Sequence, residues 1–257
     1  IVERPVWRKS ELGLPLPDSK HAVSVALPTW QDVIDYEEKE PRCIKKLKSI
    51  YPRFGLNPIL KKLSEEIISD NGFINCNAWP YSNDYLAMKA KIFCDKKTNR
   101  NNSFITKKRG VVFLITKNGA CDYAKTFWQH SGLGASSREG AISLGIEDAP
   151  PKTLVDSSYS KIINRISKFT QTGAEFINLT SSGMSAFHTA LEIIYTIFPK
   201  KPTLQIGFPY VDVLKLPMKI FYGAHLITEE ISEDLESTIK RIDPSALIIE
   251  LPSNPML

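Results

Sequence analysis

Two hydrophobic periods alternate along the last hundred residues. Short apolar runs stand at 203–208, 223–228 and 246–251, and between them residues 212–219 and 232–241 repeat apolar positions every three or four residues. Compact β-branched runs predict buried strands, and the 3.6-residue period predicts helices. Strand and helix alternating at this short spacing argue for a parallel sheet covered by helices. The alternation starts further upstream. A β-rich run at Phe176–Thr180 leads through Ser181-Ser182-Gly183 into a helix-period segment from Met184 to about Phe198, ahead of Pro199. The expected sheet therefore contains 176–179, 204–208, 225–228 and 247–251.

The pattern before residue 160 is less regular. Residues 1–50 carry Pro5, Pro15, Pro17 and Pro28, which interrupt long helices. Thr29 is placed to cap one short helix over 30–37, and the rest reads as an arm that needs another surface to lie on. Residues 58–69 place Ile59, Leu60, Leu63, Ile67 and Ile68 at helical spacing, and Asn71-Gly72 ends the run. A second helix is expected over 85–93 and a buried strand over 110–116. Residues 148–159, rich in proline and serine, read as a linker before a helix at 160–169. The organisation expected is an arm at 1–57, a mixed helical and β segment at 58–157, and an α/β segment at 158–257.

Composition narrows the function without choosing it. The 257 residues are 42% hydrophobic and 24% charged, as in globular proteins, and no apolar run is long enough to span a membrane. A net charge of +5 comes from scattered lysines, so no basic face with interleaved aromatics suggests nucleic acid. Cys43, Cys76, Cys94 and Cys121 form no C-x-x-C pair, and the four histidines lack ligand spacing. A metal site or disulfide framework is not expected. No signal peptide is visible, and a cytoplasmic location is the default expectation.

The turn at Ser181-Ser182-Gly183 is the clearest candidate for chemistry. A strand, a small-residue turn and a helix N-terminus leave unpaired N–H groups and a helix dipole aimed at whatever occupies the turn. Gly183 permits close backbone approach, and the serine hydroxyls offer further donors. An ordinary βα connection with a serine cap has the same grammar. Tyr210 follows the 203–208 run and Asn254 follows the 246–251 run, so both fall beyond strand ends, where α/β sheets bind ligands. Each has a plainer reading, as a strand-end core tyrosine and as a turn residue in Ser-Asn-Pro. His130 lies in the aromatic and glycine-rich stretch 127–139. It reads either as a base or substrate contact, or as a hydrogen-bonded structural residue. Gly132-x-Gly134 lacks the third glycine and the preceding strand of a dinucleotide fingerprint.

Taken in order, Ser182-Gly183-Met184, Pro209-Tyr210 and Glu250-Leu251-Pro252-Ser253-Asn254-Pro255 resemble the trans-sulfuration (Cys/Met metabolism) family of pyridoxal-phosphate enzymes. The stretches 21–30 (HAVSVALPTW), 51–54 (YPRF) and 127–139 (FWQHSGLGASSRE) narrow the likeness to the fungal-type branch of the cystathionine γ-synthases.

That resemblance implies an aspartate-aminotransferase-like fold (fold type I), of which 158–257 is the start of the large domain and 58–157 an insertion particular to the branch. It implies pyridoxal 5'-phosphate held by Ser182, Gly183, Met184, Tyr210 and Asn254, with Tyr51 and Arg53 reaching the phosphate of a neighbouring subunit in a homodimer or homotetramer. It also implies a γ-replacement in which cysteine displaces the acyl group of an O-acyl-homoserine, with Tyr210 assisting proton transfer. A γ-lyase, a sulfhydrylase and a non-catalytic paralogue that pairs with an active subunit are the alternatives. The family's Schiff-base lysine has no counterpart in 1–257. The expectation is therefore a chain cut at both ends, inactive alone, whose parent carries the lysine further on.

Overall fold

The computed structural model describes residues 5–52, 54–99, 102–117, 119–228 and 235–251. The chain divides into two compact units, residues 1–125 with 134–148, and residues 126–133 with 149–257.

The first unit opens with a single 3-10 turn, Lys9–Glu11, and a short antiparallel pair, β1 (Pro15–Leu16) and β2 (Ser24–Val25). Helices α1 (Trp30–Glu37) and α2 (Pro41–Ile44) follow. Thr29 caps α1 as its sequence position predicts: its hydroxyl accepts the Asp32 N–H, while the Asp32 carboxylate accepts the Thr29 N–H. The expectation that this stretch builds no core is corrected. Leu12, Tyr36 and Cys43 are buried together, with Val25, Leu27, Leu47 and Phe54 packed around them. These apolar positions are scattered through proline-dotted sequence and have no single period, so periodicity does not reveal them.

Next come α3 (Pro58–Asp70), β3 (Cys76–Tyr81), α4 (Asp84–Thr98), β4 (Ser103–Lys108) and β5 (Val111–Lys117). The sheet is antiparallel in the order β3-β5-β4, with β5 central. Six consecutive residues of β5 are buried, because both faces of a central strand are covered here. Leu60, Leu63 and Ile67 of α3 pack with Val111, Phe113 and Ile115 on one side, and α4 packs on the same three strands. Helices α5 (Cys121–Ser131) and α6 (Ser137–Ser143) complete this part of the chain. Asn57 and Asn83 cap α3 and α4 through their side-chain oxygens.

The second unit contains α7 (Lys152–Thr170), a 3-10 turn at Ala174–Phe176, α8 (Gly183–Ile197), β6 (Thr203–Ile206), α9 (Val211–Lys219), β7 (Ala224–Ile227), α10 (Leu235–Ile242) and β8 (Ala246–Ile249). Its sheet is parallel throughout, in the order β7-β6-β8. Leu191 and Tyr195 of α8 are buried with Leu216 of α9, and Ile248 of β8 packs against them. Residues 176–179 do not form the expected fourth strand. No ladder partner meets them among the described residues, and Phe176 is 74% exposed, so the β-rich composition finds no surface to pleat against. Of the linker expected at 148–159, residues 152–159 are instead the first part of α7. Pro151 precedes its first turn, and the Ser160 hydroxyl donates back to the Asp156 carbonyl, satisfying a serine inside the helix.

Glu147 ties residue 21 to the segment after α6. Its carboxylate pairs with Lys20 at 2.8 Å and with His21 at 3.0 Å, while the other His21 nitrogen lies 2.9 Å from the Ser137 hydroxyl. The bonds from Lys20 and then His21 hold the Glu147 carboxyl down to about 2, below its ordinary 4.5. A carboxyl depressed by folding contributes stability above its unfolded value and loses it as pH falls through the folded one. Between pH 4.5 and about 2, urea midpoints of the parent should therefore fall more steeply than those of Glu147→Gln. Equal slopes would mean that the pair does not couple to folding. In the core, Leu63→Ala should cost about 2–5 kcal/mol in the same assay, because Leu63 is fully buried.

Candidate functional site

The candidate site is built at the start of α8. Ser182 is its N-cap, in extended conformation, and forms a reciprocal box with Ser185. The Ser182 hydroxyl accepts the Ser185 N–H at 3.1 Å, and the Ser185 hydroxyl accepts the Ser182 N–H at 2.9 Å. Thr180 also donates its hydroxyl to the Ser182 carbonyl at 2.9 Å. The turn thus fixes its own shape with short polar side chains, which is why serine and threonine cluster there.

Gly183 and Met184 stand in the first turn, and neither N–H is paired among the described residues. A Cβ on Gly183 would meet nothing within 4 Å beyond the helix's own backbone. Two N–H groups on a positive helix end, beside open space at a glycine, suit an oxyanion. The serine hydroxyls were expected to donate as well. In this structure the Ser182 hydroxyl lies 3.3 Å from the Gly132 carbonyl, Ser185 donates to the Ser182 carbonyl at 2.8 Å, and the exposed Ser181 hydroxyl lies 3.3 Å from that of Ser185.

Tyr210 caps α9 and is half-buried. Its N–H donates to the Glu250 carboxylate at 2.6 Å, which fixes the end of β8 to the start of α9. One residue past β6, Gly207 takes φ +85°, a left-handed turn that suits glycine. Gln205 of β6 donates its amide to the Val213 carbonyl at 2.8 Å. Tyr210 therefore sits between two anchored points.

The region 127–139 supplies the contacts that sequence reading does not place. His130 Nδ1 lies 2.9 Å from the Asp212 carboxylate, and the two side chains are 8% and 3% exposed. Gly132 has φ +67°, and a Cβ there would come within 2.6 Å of Met184 Cβ, 2.7 Å of the Ser185 nitrogen and 2.8 Å of the Ser182 hydroxyl. Asp212 escapes notice in the sequence because an acidic residue in a first helical turn is commonplace. Gly132 is visible only as part of an incomplete glycine motif. The reading of His130 as a hydrogen-bonded residue agrees with its geometry.

Of the remaining candidates, Tyr51 belongs to the first unit, where its N–H meets the Tyr36 hydroxyl at 3.4 Å and its ring lies 6.4 Å from that of Phe54. Arg53 and Asn254 lie outside the described residues. Among the described residues, no group of three or more His, Cys, Asp or Glu side chains is arranged to hold a metal ion. No helix there is long and apolar enough to cross a membrane. Burial pushes the Cys94 thiol up to about 12, which leaves it protonated and unsuited to nucleophilic work.

Comparison with known proteins bears on this turn. No family model matches the chain. No solved structure matches it. Among curated proteins, a putative cystathionine gamma-synthase of Saccharomyces cerevisiae is 30% identical over 148 residues, covering 50% of this chain and 23% of that protein. A cystathionine gamma-synthase-like enzyme of Amanita muscaria is 24% identical over 96% of this chain and 56% of its own length. An L-2-amino-4-chloropent-4-enoate dechlorinase/desaturase of Streptantibioticus cattleyicolor is 24% identical over 95% of this chain and 51% of that protein. The chain spans between about a quarter and just over half of these relatives.

Gly183→Ala separates the turn's shape from its use. Because space is open at that Cβ, the unliganded protein should change in stability by less than about 1 kcal/mol. The methyl group occupies the room an oxyanion needs, so phosphate binding followed by 31P NMR line broadening should weaken. Unchanged binding would place the anion elsewhere.

Proposed function

We propose that this chain, a relative of fungal cystathionine gamma-synthases, belongs to a pyridoxal-phosphate enzyme of fold type I that joins cysteine to the γ-carbon of an O-acyl-homoserine. The observation that carries the reading is the pair of unpaired N–H groups at Gly183 and Met184, beside a glycine with open space, in a chain with these relatives. When bound, the cofactor supplies the electron sink that the substrate's Cα and Cβ chemistry requires.

The roles of the chain's own residues follow from their chemistry. Gly183 and Met184 donate N–H groups to the phosphate. Ser182 joins them at the phosphate and also holds the turn as its cap. Tyr210 would clamp the pyridine ring with its own ring, and its hydroxyl would hold a proton near the substrate. Asn254, which lies outside the described residues, would donate its amide to the ring's phenolic oxygen. Tyr51 and Arg53 of one subunit serve the phosphate held by another in a homodimer or homotetramer, the guanidinium as a planar fork and the phenol as one further donor. In the net reaction the Cγ–O bond breaks, the acyl group leaves as a carboxylate, and the cysteine sulfur forms the new bond to Cγ.

A second reading is favoured by one relative. A chain that also aligns over nearly its whole length with an enzyme named a dechlorinase/desaturase fits elimination from a related amino acid as well as replacement.

The test is reconstitution of the full-length protein with pyridoxal 5'-phosphate, followed by visible absorbance and product analysis. A visible band and cystathionine from O-acyl-homoserine and cysteine are expected. Absence of the band removes the cofactor reading, and a keto acid with ammonia moves the reaction to the elimination class. Tyr210→Phe should keep cofactor affinity within about threefold and lower kcat by about 100-fold or more, the usual range for a lost acid–base group.

A further inference from the structure

We infer that residues 130–132 act as a positioning brace, which ties the anion turn at the start of α8 to the helix that begins at Tyr210. The inference rests on the cofactor reading above for its purpose, but on geometry for its existence.

The brace has two ends. At one end Gly132 lies flat against the turn: its carbonyl lies within reach of the Ser182 hydroxyl at 3.3 Å, and any Cβ would strike the Ser185 nitrogen at 2.7 Å and Met184 Cβ at 2.6 Å. Backbone cannot yield as a flexible side-chain tip can, so residue 132 must be glycine for the turn to keep its place. Its φ of +67° demands the same residue independently. At the other end His130 meets Asp212, two residues beyond Tyr210, with both side chains withdrawn from water. An ionised carboxylate only accepts, so Asp212 fixes the proton on His130 Nδ1 and is itself paired by that bond.

Only Ser131 separates the two ends. A displacement of His130 therefore moves Gly132, and with it the cap that keeps Gly183 and Met184 aimed outward. The phosphate donors and the ring-stacking tyrosine belong to different helices, α8 and α9, yet must fit one rigid cofactor. The brace keeps them in register. His130 works through its Nδ1 bond and is a positioning residue; it need not touch substrate.

The variants follow from that division. His130→Ala breaks the bond to Asp212. His130→Asn restores a donor near the position of Nδ1 but has no Nε2, so it separates positioning from acid–base chemistry. Gly132→Ala strikes the brace at its other end. In the cofactor-free full-length protein, hydrogen–deuterium exchange of the hydrogen-bonded amides 182, 185 and 186 at the turn and 210 and 213 at α9 should rise about tenfold in both Ala variants, in His130→Ala the size expected for one lost hydrogen bond to a charged group. It should stay within about threefold of the parent in His130→Asn. Exchange in β5 of the first unit should not change, which certifies the remaining fold. Equilibrium dialysis with pyridoxal 5'-phosphate should show the same ranking, with about tenfold weaker binding in the Ala variants. Parent-like exchange at 182, 185 and 186 in His130→Ala overturns the brace, as does His130→Asn behaving like His130→Ala. If one Ala variant fails to fold, the other carries the test. If exchange responds as expected but the parent binds no cofactor, the brace stands and the cofactor reading falls.

Discussion

A helix start that must leave two N–H groups unpaired requires every other polar group around it to be satisfied locally. The capping box between Ser182 and Ser185 does this at the start of α8, and Thr180 and Gly132 take up the remaining hydrogen-bonding capacity. What is left points outward. The rest of the second unit holds that turn in place. Leu191 and Tyr195 bury the far turns of α8 with Leu216 of α9 and Ile248 of β8, and Met184 of the first turn packs against the same cluster through its side chain. Glu250 and Gln205 then hold the start of α9 to the sheet. Binding capacity at the turn is thus what the capping box leaves over.

The fold was legible in the sequence wherever one period ran unbroken. Residues 58–69, 110–116 and the run from Met184 declare themselves because one face, or every face, of each element is apolar. The parallel sheet of the second unit follows from short alternating runs for the same reason. Reading failed where neighbours decide the outcome. Residues 176–179 have strand composition but no partner, and composition does not report a partner. Residues 152–159 have linker composition, yet they join a helix whose only buried position is Ile163.

The candidate site was legible in part, and along the same dividing line. Gly183 and Tyr210 stand out because small-residue turns and strand-end aromatics have local signatures. Asp212 and Gly132 do not, since their significance lies in contacts across 82 residues in one case and about 50 in the other. His130 occupies the middle ground. Its surroundings in the sequence draw attention, but its partner emerges only from the fold.

The two units are not separable by a single cut. The chain enters the second unit for residues 126–133, returns to the first for 134–148, and leaves again at 149. A piece begun at 149 would keep the parallel sheet, α8 and α9, yet would carry Asp212 buried without His130 and Ser182 without the carbonyl it reaches. Modularity here is therefore a property of contacts and not of sequence order. Shuffling or grafting the α/β part would have to bring along the last turn of α5, a fragment that belongs by sequence to its neighbour.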